Sequence, residues 1–201
     1  DQKIFIFVEE NFWTSAIGKI SLIEFNDFNL KYYGTILEED FHLSFPFIFK
    51  QNENLYMIPE THQNANISLY EATKFPYQWT CRGHIIPDLC ASDTVIFENK
   101  DHYFALCNNE TGRFGDRLTN LALYTSGKGQ CEELPHFDYV ATIYNEATKS
   151  RNGGLFKWKN SYCRVNQIPS YNLYGKQISV NKICVKTNNG QIEYQETEIK
   201  D

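Results

Sequence analysis

Ser44-Phe45-Pro46-Phe47-Ile48-Phe49 opens a pattern that the chain repeats, with further copies at Ser92-Asp93-Thr94-Val95-Ile96-Phe97 and Arg151-Asn152-Gly153-Gly154-Leu155-Phe156. A short polar stretch follows each copy: Lys50-Gln51-Asn52-Glu53-Asn54, Glu98-Asn99-Lys100-Asp101 and Lys157-Trp158-Lys159-Asn160. An aromatic then begins a second apolar run, at Tyr56-Met57-Ile58, Tyr103-Phe104-Ala105-Leu106 and Tyr162-Cys163-Arg164-Val165. Aromatic and β-branched runs on either side of a polar turn read as strand, hairpin, strand.

A third element recurs downstream as Ile67-Ser68-Leu69-Tyr70, Leu121-Ala122-Leu123-Tyr124 and Ile178-Ser179-Val180. The same element stands early as Ile20-Ser21-Leu22-Ile23, with Phe5-Ile6-Phe7-Val8 before it as a second element. A weaker fourth strand fits Leu30–Leu37, Trp79–Ile86 and Ile192–Ile199. Aligning Phe5, Tyr56, Tyr103 and Tyr162 gives spacings of 51, 47 and 59 residues. Four-stranded units of that length predict the blades of a β-propeller, in which each sheet buries its faces against its neighbours. A two-sheet sandwich also has short, evenly spaced strands, but does not call for one grammar repeated four times. The expected fold is therefore all-β: one propeller domain over 1–201, with blades at 1–37 (partial), 42–87, 92–135 and 150–201. Val140–Lys149 reads as a loop or a single short helix.

Composition agrees. Of 201 residues, 42% are hydrophobic and 22% charged, which suits a globular chain rather than a disordered one. A net charge of −6 argues against a nucleic-acid partner or an anionic membrane held by bulk charge. No apolar run reaches the ~18 residues of a membrane span. The start at Asp1-Gln2-Lys3 reads as a processed chain or an excerpt. Six cysteines, at 81, 90, 107, 131, 163 and 184, lack CxxC spacing and read as free buried thiols, though an even count also permits disulfides. Two sequons, at Asn66 and Asn109, leave the compartment open between the cytoplasm, slightly favoured, and the secretory pathway.

The block His42-Leu43-Ser44-Phe45-Pro46-Phe47-Ile48-Phe49, then Leu55-Tyr56-Met57-Ile58-Pro59-Glu60, then Ile67-Ser68-Leu69-Tyr70 with Phe75-Pro76 and Trp79, resembles one particular propeller family. It is similar to the N-terminal domain of plant glucosamine inositolphosphorylceramide transferases, and to a domain accompanying bacterial sugar formyltransferase-like proteins. Phe7-Val8-Glu9-Glu10, Gly18-Lys19-Ile20-Ser21, Arg151 with Gly154-Leu155-Phe156, Arg164 with Gln167, and Tyr174-Gly175 extend the likeness over nearly the whole chain. The resemblance implies a five-bladed fold like that of the arabinanase and β-xylosidase hydrolases, of which about four blades are visible here. It also implies carbohydrate chemistry, with a saccharide or glycoconjugate as ligand and a fused or associated transferase domain as partner.

Hydrolysis of a glycoside needs two carboxyl groups across the scissile bond, roughly 5–5.5 Å or 6.5–9.5 Å apart. By the resemblance, the related hydrolases place an Asp in blade one, an Asp in blade three and a Glu in blade four. Asp93 fits the second role, while Ser150-Arg151-Asn152-Gly153 offers no carboxylate for the third. The expectation is thus an accessory recognition domain, with a hydrolase using Asp93 and Glu60 as the alternative and a protein-interaction propeller as a third reading. Glu9 and Glu60 take equivalent places at the end of the second strand, a position given to Cys107 and Asn166 in later blades. These carboxylates could bond sugar hydroxyls or tie blades together. The expected ligand-binding set is Glu9, Ser44, Glu60, Asp93, Arg151, Arg164, Gln167 and Tyr174, with Arg151 also able to neutralise Asp93 or Glu60. Trp13, Trp79 and Trp158 could stack on sugars, although Trp79 and Trp158 sit where packing or surface roles fit better. His42, His62, His84, His102 and His136 have neither HExxH nor HxH spacing, and there is no P-loop, GxGxxG or nucleophile elbow, so no metal or cofactor is expected.

Overall fold

A computed structural model describes residues 3–12, 15–110, 119–128, 136–170, 173–188 and 190–199, with Leu173 and Tyr174 placed by backbone alone. Its elements are four antiparallel sheets of consecutive strands, the blades of a β-propeller. The first sheet has three strands, β1 (Ile4–Glu10), β2 (Lys19–Asn26) and β3 (Asn29–Leu37). The second runs β4 (Ser44–Gln51), β5 (Asn54–Glu60), β6 (Ile67–Lys74) and β7 (Gln78–Ile86). The third is β8 (Ala91–Glu98), β9 (His102–Asn109), β10 (Leu121–Gly127) and β11 (Asp138–Tyr144). The fourth is β12 (Asn152–Trp158), β13 (Ser161–Ser170), β14 (Leu173–Asn188) and β15 (Gln191–Glu198). The strand at Asp138–Tyr144 corrects the expected loop or helix there; only Ala147–Ser150 forms a helical turn, α1. The β11 sequence, Asp-Tyr-Val-Ala-Thr-Ile-Tyr, pairs with β10 through two register shifts, which blur the alternation a strand normally displays.

The sheets fall into two compact units, Asp1–Cys90 and Ala91–Asp201. In the first unit, Ile20, Leu37, Leu43, Met57, Tyr70 and Trp79 form the core, with Phe7 and Ile48 against it. Phe7 meets Trp79 edge-on at 5.7 Å, so Trp79 is a packing residue, and its indole N–H donates to the Pro76 carbonyl at 3.0 Å. In the second unit β8 is buried on both faces up to Phe97, whose ring lies 5.2 Å from Phe104 and 5.5 Å from Tyr162. Trp158 is exposed at a hairpin turn, and Trp13 lies outside the described residues. Cys81, Cys90, Cys107, Cys163 and Cys184 are free; Cys107 and Cys163 are buried, but Cys81 and Cys184 are exposed, and Cys131 is outside the described residues. Asn109, the second sequon, is fully buried, its side-chain amide donating to the Tyr124 hydroxyl at 3.0 Å.

Strand pairing corrects the repeat register by one residue. Phe49 pairs with Tyr56, Phe97 with Phe104, and Phe156 with Cys163, each partner seven positions on. The equivalents of Tyr56 are therefore Phe104 and Cys163, not Tyr103 and Tyr162. One residue of slip turns every side chain to the other face, so the end of the second strand must be re-read. Glu9 pairs with Ile20, Asn108 with Leu121 and Gln167 with Ile178, while Ser44 faces Glu60 as Ser92 faces Asn108. The repeated position holds Glu9, Glu60, Asn108 and Gln167, polar in every blade; Cys107 and Asn166 are each one place off.

Two carboxylates of the first sheet set its response to acid. Hydrogen bonds from Ser21 and then Tyr32 hold Glu10 below the ordinary 4.5, and bonds from Tyr33 and then Lys3 do the same for Glu24. A folded-state value below the unfolded one contributes stability at higher pH that disappears as pH falls through it. The urea midpoint of the first unit should stay level from neutral pH to about 5, then drop below about 4.5. Tyr32→Phe with Ser21→Ala should flatten part of that drop; an unchanged profile would contradict the assignment.

Candidate functional site

The first unit gathers three of the expected residues around two histidines. β5 ends at Glu60 and β1 carries Glu9 at the equivalent place, while Ser44 starts β4 directly across from Glu60. Glu60 Oε1 lies 2.6 Å from His62 Nδ1, and Glu9 Oε1 lies 3.5 Å from His42 Nε2. The two imidazoles meet edge to face, with centroids 6.2 Å apart and ring planes inclined at 60°. His42 is oriented by the backbone: the Gly18 N–H donates to its Nδ1 at 2.9 Å, so its remaining proton sits on Nε2 and turns towards Glu9. The His42 backbone N–H donates to Gln63 Oε1 at 2.8 Å. Glu9 is 39% exposed in its side chain and Glu60 10%, so one carboxylate reaches solvent while the other is recessed. Carboxylate oxygens accept and an Nε2–H donates, which is the mixed set that hydroxyl and amine groups need.

His42 and His62 are the residues that motif reading passed over. Each stands two positions from a nominated residue, His42 before Ser44 and His62 after Glu60, and that adjacency was the available signal.

In the second unit the nominated residues are engaged by the protein itself. Asp93 is buried and its Oδ2 lies 3.0 Å from Arg151 Nε, the neutralising partnership anticipated for that arginine. Fully buried Asn152 donates through Nδ2 to the carbonyls of Asp93 at 2.8 Å and Leu106 at 3.1 Å, and its own N–H reaches Asn108 Oδ1 at 3.1 Å. Gln167 donates to the Asn152 carbonyl at 2.6 Å. Asn108, the amide counterpart of Glu60, thus ties the third sheet to the start of the fourth, while Gln167, the counterpart of Glu9, holds Asn152 from within the fourth. Arg164 is 1% exposed in its side chain, with Nε 2.6 Å and Nη2 2.9 Å from the two oxygens of Glu196. It also donates to the Lys149 carbonyl at 2.8 Å and to Asn152 Oδ1 at 3.3 Å. Burial works against its charge, but bonds and charge from Glu196 leave its pKa raised. The side chain of Tyr174 lies outside those described.

Both inner strands where these residues begin carry a bulge. Ser44 and Phe47 of β4, like Ser92 and Val95 of β8, bracket one extra residue, and the backbone turns left-handed at Phe45 (φ 43°) and Asp93 (φ 52°). Aspartate tolerates that conformation; a phenylalanine there is strained, and such bulges re-aim side chains beside functional sites.

Comparison with known proteins gives these sheets a lineage. The family described as "Glucosamine inositolphosphorylceramide transferase 1, N-terminal" matches residues 1–201. The chain belongs to this family. The glucosamine inositolphosphorylceramide transferase 1 of Arabidopsis thaliana is 32% identical over 83% of the chain, and that of Oryza sativa subsp. japonica 27% identical over 90%. The chain spans 21% and 24% of the length of these two relatives. Among solved structures, a Bombyx mori GH32 β-fructofuranosidase aligns over 96% of this chain and 48% of its own, at a TM-score of 0.65 and 11% identity. A Clostridium thermocellum α-L-arabinofuranosidase aligns over 98% and 68%, at 0.64 and 12%. Those likenesses fix the propeller fold of this family member. Among the described residues no helix is long and apolar enough to cross a membrane, and no group of three His, Cys, Asp or Glu could share a metal ion.

Proposed function

We propose that the chain is an accessory carbohydrate-recognition propeller, acting as one domain over 1–201 within a glycan-modifying protein. Its partner would be a transferase domain in the same or an associated polypeptide. The observation that carries this reading is the pair of carboxylate–imidazole contacts, Glu9–His42 and Glu60–His62, at repeat-equivalent strand ends. The relatives' name points to a glucosamine-bearing glycoconjugate, and an amino sugar's ammonium suits the carboxylates of Glu9 and Glu60. Asp93 is paired with Arg151 and serves the fold in this reading. The test is calorimetric titration with glucosamine, glucose and N-acetylglucosamine. Glucosamine should bind best, and Glu60→Ala should weaken it roughly tenfold to a hundredfold, the scale of one charge-assisted hydrogen bond. Binding by none of the three would sink the proposal. Release of reducing sugar from an oligosaccharide, lost in both Glu60→Gln and Asp93→Asn, would replace it with the hydrolase reading.

A further inference from the structure

Apart from the histidine cluster, the second unit holds a cavity of about 460 Å³ on the face of the fourth sheet that carries Arg164. Small-ligand sites run from roughly 300 to 1,000 Å³. Its walls include Tyr144, Asn166, Ile168, Ser179, Asn181 and Glu198. Asn166 is only 2% exposed, and its Nδ2 is held by the Thr148 carbonyl at 2.8 Å and Ser179 Oγ at 3.3 Å. Its Oδ1, also buried, accepts no hydrogen bond among the described residues. A buried carbonyl oxygen without a donor is costly, so a ligand hydroxyl or amide N–H that reached it from the cavity would relieve that cost. Ser179 Oγ already accepts from Asn166 and from Asn181 Nδ2 at 3.2 Å, which directs its own proton outward as a donor.

Tyr144 and Ile168 add aromatic and apolar surface to a lining in which Asn166, Ser179, Asn181 and Glu198 accept and donate. That mixture suits a pyranose, whose C–H groups take apolar surface and whose hydroxyls both give and take. The cations of the lining are matched, Arg164 by Glu196 and Lys149 by Glu146 at 2.6 Å, so nothing there favours a phosphate or uronate. We infer that this cavity is a second saccharide site, selective for a neutral pyranose, built from β13, β14 and the Tyr144 ring. It shares no residue with the first-unit cluster.

The test is an amide NMR titration of the whole chain with glucose, galactose and N-acetylglucosamine, and with glucose 6-phosphate as the charged counterpart. At least one neutral sugar should shift amides within 164–168 and 179–181. Ser179→Ala combined with Asn181→Ala should weaken it at least tenfold, Glu198→Gln should weaken it several-fold, and Glu60→Ala should leave it unchanged. Silence of those amides with every neutral sugar, equal response to glucose 6-phosphate, or parent-like binding by both cavity variants would overturn the inference. Cavity shifts that persist while Glu9, His42 and Glu60 stay silent would uphold it, and the first-unit reading would stand or fall separately on its titration with glucosamine.

Discussion

Replacing Arg164 with alanine will destabilise the second unit by about 3–5 kcal/mol, the scale for stripping one partner from a buried ion pair. The carboxylate of Glu196 would remain buried, 4% exposed in its side chain and still hydrogen-bonded by Tyr194. Asn152 Oδ1 and the Lys149 carbonyl would lose a donor as well. Burial, then the charge of Glu196, holds the Tyr194 hydroxyl well above its ordinary pKa, so it stays protonated and remains a donor to Glu196. The double replacement Arg164→Met with Glu196→Leu should recover most of the loss, because an apolar pair of similar volume carries no stranded charge. Urea unfolding followed by hydrogen exchange at β13 and β15 would measure both. A loss under about 1 kcal/mol for Arg164→Ala would mean the pair behaves as a solvated surface contact.

The second large effect is expected at Gly18. A Cβ built there stands 2.7 Å from His42 Cε1 and 2.8 Å from the Leu43 carbonyl oxygen, closer than such contacts allow. The imidazole could swing aside, but the carbonyl belongs to backbone anchored by the Leu43 N–H to Gly18 O bond at 2.9 Å and by a fully buried Leu43 side chain. Gly18→Ala should therefore cost the first unit about 1–3 kcal/mol and unseat His42 from Glu9. The readout is a lowered unfolding midpoint together with a changed His42 ring signal in NMR. Unchanged stability and an unchanged ring environment would show that the segment yields without cost.

How much of this was legible in the sequence depends on which physical signal each feature leaves. The hairpins were legible because Phe49, Phe97 and Phe156 each precede a polar turn and a second apolar run, a local pattern with a local cause. The register was not, because Tyr103 and Tyr162 look like Tyr56 but pair one residue early; only the ladder reveals that Phe104 and Cys163 hold its place. That slip hid Asn108 as the counterpart of Glu60, although Gln167 had been singled out for other reasons. β11 escaped notice because register shifts break its alternation. At the site, Glu9, Ser44 and Glu60 could be named from their repeat positions. The histidines could not be assigned, since contact between His42 and Glu9 depends on how the chain returns from β3 into β4. Arg164 stood out as a cation, and nothing near it in sequence announces Glu196, 32 residues away.

The buried Asn109 has a practical side. An enzyme that attaches oligosaccharides recognises the Asn109-Glu110-Thr111 triplet in the nascent polypeptide, before the third sheet has closed. A sugar tree on that amide nitrogen would stand where the Tyr124 hydroxyl belongs, and the sheet could not shut around it. Material secreted from yeast or insect cells would then divide into a folded fraction bare at Asn109 and a modified fraction bound for degradation. A bacterial expression host carries no such hazard.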